Sequence, residues 1–237
     1  MSISTRRVQA IVSALREAYG EPRHPRRLPP VDELVMTILS QNTSDTNTER
    51  SFAALRAAYP VWEDVLGAAE GDLVDVLRSG GLANQKAPRI QAVLRTLAAE
   101  PHGFDLRWLG DVPAEEAQEW LTALPGVGPK TAACVLLFSL DVPVMPVDTH
   151  VHRVSRRLGL IGDTVSADAA HAILTEMTPD GEMLSAHLLL IEHGRRTCRA
   201  RGPRCGECVL AGGCPSAVVP GTVPGAVPGS VPGTVPG

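Results

Sequence analysis

Four cysteines near the C-terminus, Cys198, Cys205, Cys208 and Cys214, fall in the pattern C-x6-C-x2-C-x5-C. Four soft thiolates this close in sequence suit a tetrahedral metal ion or a cubane iron–sulfur cluster, because either centre takes four such ligands. Structural zinc sites usually pair two C-x2-4-C knuckles across a longer gap. Here only Cys205 and Cys208 form a knuckle, and the other two stand singly on either side. The spacing favours an iron–sulfur centre, with zinc and disulfides as the competing assignments. A fifth cysteine, Cys134, lies in the apolar stretch TAACVLLFSL and reads as a small buried hydrophobe.

A second kind of chemistry is written at residues 124–130, Leu-Pro-Gly-Val-Gly-Pro-Lys. Gly126 and Gly128 are free to take positive φ, and Pro129 opens a helix. Backbone N–H groups left bare at such a helix start favour a phosphate, so the segment suits gripping a nucleic-acid backbone. A plain Gly-Pro turn between two helices has the same composition. Lys130 separates the two. The chain has two lysines, Lys86 and Lys130, against twenty arginines. A cation in the first turn of a helix is repelled by the dipole. The residue is thus a poor structural choice and a good nucleophilic one, able to attack a sugar carbon and form a Schiff base. Asp148 is its natural companion. The helix from Pro129 carries the chain ~17 Å away at ~1.5 Å per residue, and the extended link 141–147 returns up to ~20 Å. Asp before Thr-His-Val is also a good helix N-cap, and the residue can serve both purposes.

These groups must be held by helices. Val8, Ile11, Val12 and Leu15 share one helical face. The same periodicity predicts helices over 31–40, 45–59, 70–78, 84–99, 113–123, about 129–140, 149–158, 167–177 and 183–194. No alternating strand pattern is present, so the chain is expected to be all-α with short loops. Aromatic residues are 3% of the chain, which leaves the core to Leu, Val, Ala and Ile. The longest apolar runs are too short to span a bilayer. The N-terminus lacks an apolar signal core, so a cytoplasmic protein with reduced cysteines is expected.

Net charge is −4, which argues mildly against a nucleic-acid partner, but its distribution matters more. Arginines 195, 196, 199, 201 and 204 surround the first two cysteines with no acid among them, and Arg153, Arg156 and Arg157 add a second basic stripe. Such patches bind phosphate or are simply solvated. From Val219 onward the chain is a VPGx repeat with too little apolar surface to order itself. It reads as a flexible appendage.

Together the segments LPGVGPKTA, VDTHVHRVSRRLGL and HGRRTCRARGPRCGECVLAGGC resemble the hairpin, aspartate segment and cluster loop of the endonuclease III family of helix-hairpin-helix DNA glycosylases. The resemblance covers roughly residues 5–215. It implies a six-helix barrel domain at 29–140 and an iron–sulfur domain from 1–28 and 141–215, with a DNA cleft between them and a disordered tail at 216–237. It makes Lys130 the nucleophile, Asp148 the essential carboxylate and the four cysteines the ligands of a 4Fe–4S cluster. Gly126, Val127 and Gly128 would hold the DNA backbone, and Arg201 and Arg204 would meet phosphate. Leu82, in RSGGLANQKA, resembles the wedge inserted into the duplex; otherwise it is a core leucine after a Gly-Gly break.

Gln41 and Asn42 lie in LSQNTSD where the family often reads LSAQATD, so Asn42, one methylene shorter, takes the place of the gap-filling glutamine. Ala83 stands where a tyrosine is familiar, and Gly202 where a lysine is common. The expected activity is that of a bifunctional glycosylase and abasic-site lyase on oxidised pyrimidines, acting as a monomer on duplex DNA with a damaged base or abasic site. No membrane or obligate protein partner is implied. A G·T or G·U mismatch glycosylase is the enzymatic alternative, and a non-catalytic DNA-binding iron–sulfur protein the other.

Overall fold

The computed structural model describes residues 3–23 and 26–218; the VPGx repeat lies outside the described residues. All regular structure among them is helical: α1 (Ile3–Tyr19), α2 (Pro30–Ser40), α3 (Asp45–Ala58), α4 (Trp62–Gly67), α5 (Glu70–Leu77), α6 (Ala83–Ala99), α7 (Ala114–Thr122), α8 (Pro129–Leu140), α9 (Thr149–Arg157), α10 (Ala167–Met177) and α11 (Met183–Arg196), with short 3-10 turns between. The all-α expectation holds. The chain divides into two compact units, one spanning Pro25–Pro146 and the other built from the segments on either side of it. We call them the hairpin unit and the cysteine unit.

The hairpin unit is organised around α8. Residues 131–137 of this helix are all buried, on every side. A helix apolar all round belongs in the middle of a core, and α2, α7 and a 3-10 turn at Arg107–Gly110 pack about it. Ile38, Leu39, Leu55, Leu94 and Leu121 complete the same core. Val142 and Val144, in the link after α8, also pack there, which places the division between units after Pro146. Cys134 is buried in α8. The ends of α8 reach partial exposure: Gly128 to Lys130 at its start, and Phe138 and Leu140 at its close.

Helix α4 is too short for its periodicity to be read from sequence. It is held from outside: buried Gln91 on α6 donates from Nε2 to Val65 O (3.0 Å) and Ala68 O (2.9 Å), satisfying carbonyls that a helix end leaves free.

In the cysteine unit, α1 packs on α11, and α11 on α9. Val8, Val12 and Leu15 form the buried stripe of α1 expected from the sequence, with Ile11 at its margin, 9% exposed. Arg16 anchors α1 by reaching Glu21 and Glu182, each at 2.6 Å. Among the described residues, no helix is long and apolar enough to cross a membrane.

Candidate functional site

In the hairpin unit three loops carry the residues singled out above. The first is the turn between α7 and α8. Val127 N donates to Leu124 O (3.1 Å), closing the turn, and the Val127 side chain is buried in the core. Gly126 takes φ +74°, a conformation that L side chains avoid. Gly128 does not: at φ −99° and ψ 175° it is extended, as expected before a proline. A Cβ added to Gly128 would meet nothing within 4 Å, whereas one on Gly126 would lie 2.8 Å from Arg89 Cδ. The protein's own packing therefore requires glycine at 126 and not at 128. Gly128 caps α8 without a side chain, so the first-turn donors have no side-chain acceptor.

Lys130 is the second residue of α8 and is partly exposed. Its ammonium acts on Glu33, one helix away on α2. Burial raises the Glu33 pKa, while the hydroxyl of Thr37, donating at 3.1 Å, and the Lys130 charge oppose the rise. A carboxyl whose pKa is raised by folding costs stability as pH climbs from its unfolded value through the folded one. Glu33→Gln is therefore expected to melt higher than wild type at pH 7, by a margin that shrinks at pH 5. Thermal melts at the two pH values check this.

The second loop follows α2. Gln41 is half-buried and accepts from Arg89 Nη1 at 2.6 Å. Asn42, exposed, has φ +54°. The third loop precedes α6. Leu82 is no core leucine: it is 44% exposed, with φ +53°. Two of the three non-glycine residues with positive φ among the described residues thus sit in these two loops. Such backbone costs of order 1–3 kcal/mol per residue and persists only where the surroundings enforce it. Arg89, unremarked in the sequence, ties Gln41 to the hairpin by packing beneath Gly126. Ala83 is the first residue of α6.

In the cysteine unit, Asp148 caps α9: its Oδ1 accepts from Val151 N at 2.7 Å. Among the described residues its second oxygen has no hydrogen-bond partner. The four cysteines are free thiols that line one cavity together with Arg157 and His193. No three His, Cys, Asp or Glu side chains among the described residues are grouped tightly enough to hold a single metal ion. Burial, followed by mutual repulsion, pushes the thiols of Cys208 and Cys214 up. Four convergent soft donors in this state fit a cationic, multi-iron centre that would hold them as thiolates.

The arginines here behave differently from their sequence reading. Arg153 donates to Cys198 O (3.0 Å) and Gly194 O (2.9 Å). Arg157 donates to Arg199 O (2.7 Å), Ala200 O (3.2 Å) and Cys198 Sγ (3.4 Å). They clamp the cysteine loop instead of forming a basic stripe, and only Arg156 of the three is exposed. Arg201 is exposed; Arg204 is exposed too, with Glu207 3.7 Å away.

His193 was also missed. Its Nδ1 meets Tyr19 Oη at 2.8 Å and its Nε2 lies 3.7 Å from Cys208 Sγ. Burial lowers its pKa to about 4. The neutral tautomer that suits this network accepts from Tyr19 and donates toward the sulfur.

Residues 35–180 match the family model described as HhH-GPD superfamily base excision DNA repair protein. The endonuclease III of Thermotoga maritima is 36% identical over 81% of this chain and 86% of that protein. An Arabidopsis thaliana relative is 38% identical over 70% of this chain, which spans 56% of that longer protein. A solved non-covalent endonuclease III–DNA complex superposes with a TM-score of 0.77 at 27% identity, covering 91% of this chain and 97% of the other. The chain belongs to the endonuclease III family within the HhH-GPD superfamily, and is an enzyme of the DNA glycosylase and lyase class.

Proposed function

We propose that this enzyme removes oxidised pyrimidines from duplex DNA and cuts the strand 3′ to the resulting abasic site, with Lys130 as the nucleophile. The observation that carries the reading is the placement of Lys130. It is a partly exposed amine in the second position of a helix whose first-turn donors no side chain caps, two residues after a glycine that the protein's packing does not require.

The phosphate backbone docks at Gly126–Gly128 and the start of α8, where N–H donors and the helix dipole favour negative charge. Arg201 and Arg204 add phosphate contacts from the cysteine loop. The damaged nucleotide leaves the stack, since chemistry at C1′ requires access. Leu82 enters the vacated space, and Gln41 and Asn42 meet the orphaned base. Lys130 Nζ attacks C1′, and the C1′–N bond breaks with its electron pair leaving on the base, which takes up a proton. The sugar ring opens to an iminium. Loss of a C2′ proton then expels the 3′ phosphate as the C3′–O bond breaks, and water hydrolyses the imine to free Lys130. Asp148 stabilises positive charge developing on the sugar. The four cysteines would hold a 4Fe–4S cluster, which supplies charge and crosslinking to the loop carrying Arg201 and Arg204.

The competing enzymatic reading, a mismatch glycosylase, is separated by comparing duplexes with thymine glycol and with a G·T pair. Cleavage of the first and not the second is expected; the reverse would overturn the substrate assignment. The hairpin gives a second test. Gly128→Ala is expected to leave the melting temperature unchanged and to weaken duplex binding by about tenfold, one lost charge-assisted contact being worth about 1.5 kcal/mol. Gly126→Ala, with a left-handed backbone and Arg89 in the way, is expected to cost about 1–2 kcal/mol of stability. Paired melts and binding titrations check both.

A further inference from the structure

Lys86 is the second lysine of the chain, and the mechanism above does not use it. It lies on α6, is 3% exposed, and is pushed below the usual lysine range by burial alone. Among the described residues no carboxylate pairs with it. Its Nζ donates instead to two backbone carbonyls, Leu39 O at 2.6 Å and Gly80 O at 3.1 Å. A buried ammonium without a counter-ion is costly, so a hydrophobic residue would hold an ordinary core at less expense.

The two carbonyls are placed tellingly. Leu39 is three residues before Asn42, and Gly80 is two before Leu82; Asn42 and Leu82 are the left-handed, exposed residues of their loops. The loops also approach one another directly. A Cβ on Gly81 would lie 4.0 Å from Thr43 Oγ1; the root of the second loop also packs on α3, where a Cβ on Gly80 would lie 2.4 Å from Ser51 Oγ, which itself meets Ser79 Oγ at 3.1 Å. Both loops are thus pinned at their roots and strained at their tips.

We propose that Lys86 is a positioning residue that locks the loops carrying Asn42 and Leu82 into one unit, so that the wedge and the gap-filling side chain engage a damaged duplex together. The inference rests on the base-extrusion reading above. One ammonium with three donors spans two carbonyls that lead into separate loops, one in the last turn of α2 and one at the end of the 3-10 turn Arg78–Gly80, which an apolar side chain cannot do. With the lock in place, displacing either tip displaces the other, and their contributions to lesion recognition are coupled.

The test is a double-mutant cycle with Leu82→Ala and Asn42→Ala, in wild type and in Lys86→Met. The readouts are the affinity ratio of a tetrahydrofuran abasic-analogue duplex over undamaged duplex, and the fluorescence of 2-aminopurine opposite the analogue. In wild type the double mutant is expected to lose little more discrimination than either single, an interaction of about tenfold, within the range seen for residues that act as a unit. In Lys86→Met the two losses multiply, the 2-aminopurine signal reverts toward that of stacked duplex, and undamaged-duplex affinity stays within about twofold of wild type. Additive losses in wild type overturn the proposal, and so does an unchanged interaction in Lys86→Met. If Lys86→Met does not fold, the wild-type cycle alone decides. Single mutants that leave discrimination untouched would instead reject the base-extrusion reading itself.

Discussion

The Lys130→Gln protein is expected to bind an abasic-site duplex within about threefold of wild type and to cleave it about a thousandfold more slowly or worse, as loss of a covalent nucleophile demands. Glutamine preserves the second position of α8 and puts a shorter, neutral amide in place of the amine. The positive potential at the α8 terminus falls by one charge, but the backbone donors and the helix dipole that meet phosphate remain, so binding falls only slightly. The other lysine cannot substitute: Lys86 is buried and its donors are spent on Leu39 O and Gly80 O. Glu33 loses its cationic neighbour, which favours the neutral carboxyl in its buried site and leaves the fold intact. Single-turnover cleavage with a parallel binding titration measures both effects. Cleavage within tenfold of wild type would remove Lys130 from the chemistry.

The second large effect concerns the loop from Thr197 to Val218. It contains only two short 3-10 turns, at Cys205–Glu207 and Ala211–Gly213. Its one buried apolar side chain is Leu210, while Val209 and Val218 are exposed. An apolar core cannot hold such a segment. Arg153 and Arg157 hold it through carbonyls of 194–200, and Cys198, Cys205, Cys208 and Cys214 line one cavity within it.

A centre bound by all four thiolates contributes folding free energy directly, of order 10 kcal/mol for structural metal sites. Cys208→Ala is therefore expected to abolish the visible absorbance of anaerobically purified protein. Trypsin should then cut after Arg199, Arg201 or Arg204, bonds resistant in wild type. Equal resistance in the colourless variant would mean that the loop stands without a cluster. Arg157→Met is expected to give a milder version, a melting temperature lower by about 5 °C with colour lost faster in air, for the loss of two or three charged-donor hydrogen bonds in a half-exposed setting.

The sequence made the helices legible where apolar periodicity ran for two turns or more, as in α1, α2, α5, α9 and α11. It could not show α4, whose six residues complete less than two turns and whose end depends on Gln91 from α6. Side-chain direction was the other gap. Arg153 and Arg157 were grouped with Arg156 by composition, yet residues four apart meet on one helix face, while Arg156 is turned about 100° from its neighbour Arg157 and is exposed. That spacing, with a cysteine loop needing backbone acceptors satisfied, was the signal for a clamp. The two glycines of the hairpin looked equivalent, but Pro129 forces Gly128 into an extended backbone and leaves positive φ to Gly126. Lys86 was visible as one of two lysines in an arginine-rich chain; its burial between two loops belongs to the tertiary structure.

The measurement that bears most directly on the account is borohydride trapping of wild-type enzyme on a thymine-glycol duplex, followed by peptide mapping of the adduct. A covalent adduct on the peptide that contains Lys130 is the expected result. Absence of an adduct from protein that binds the duplex, or an adduct mapped to a different amine, would contradict it.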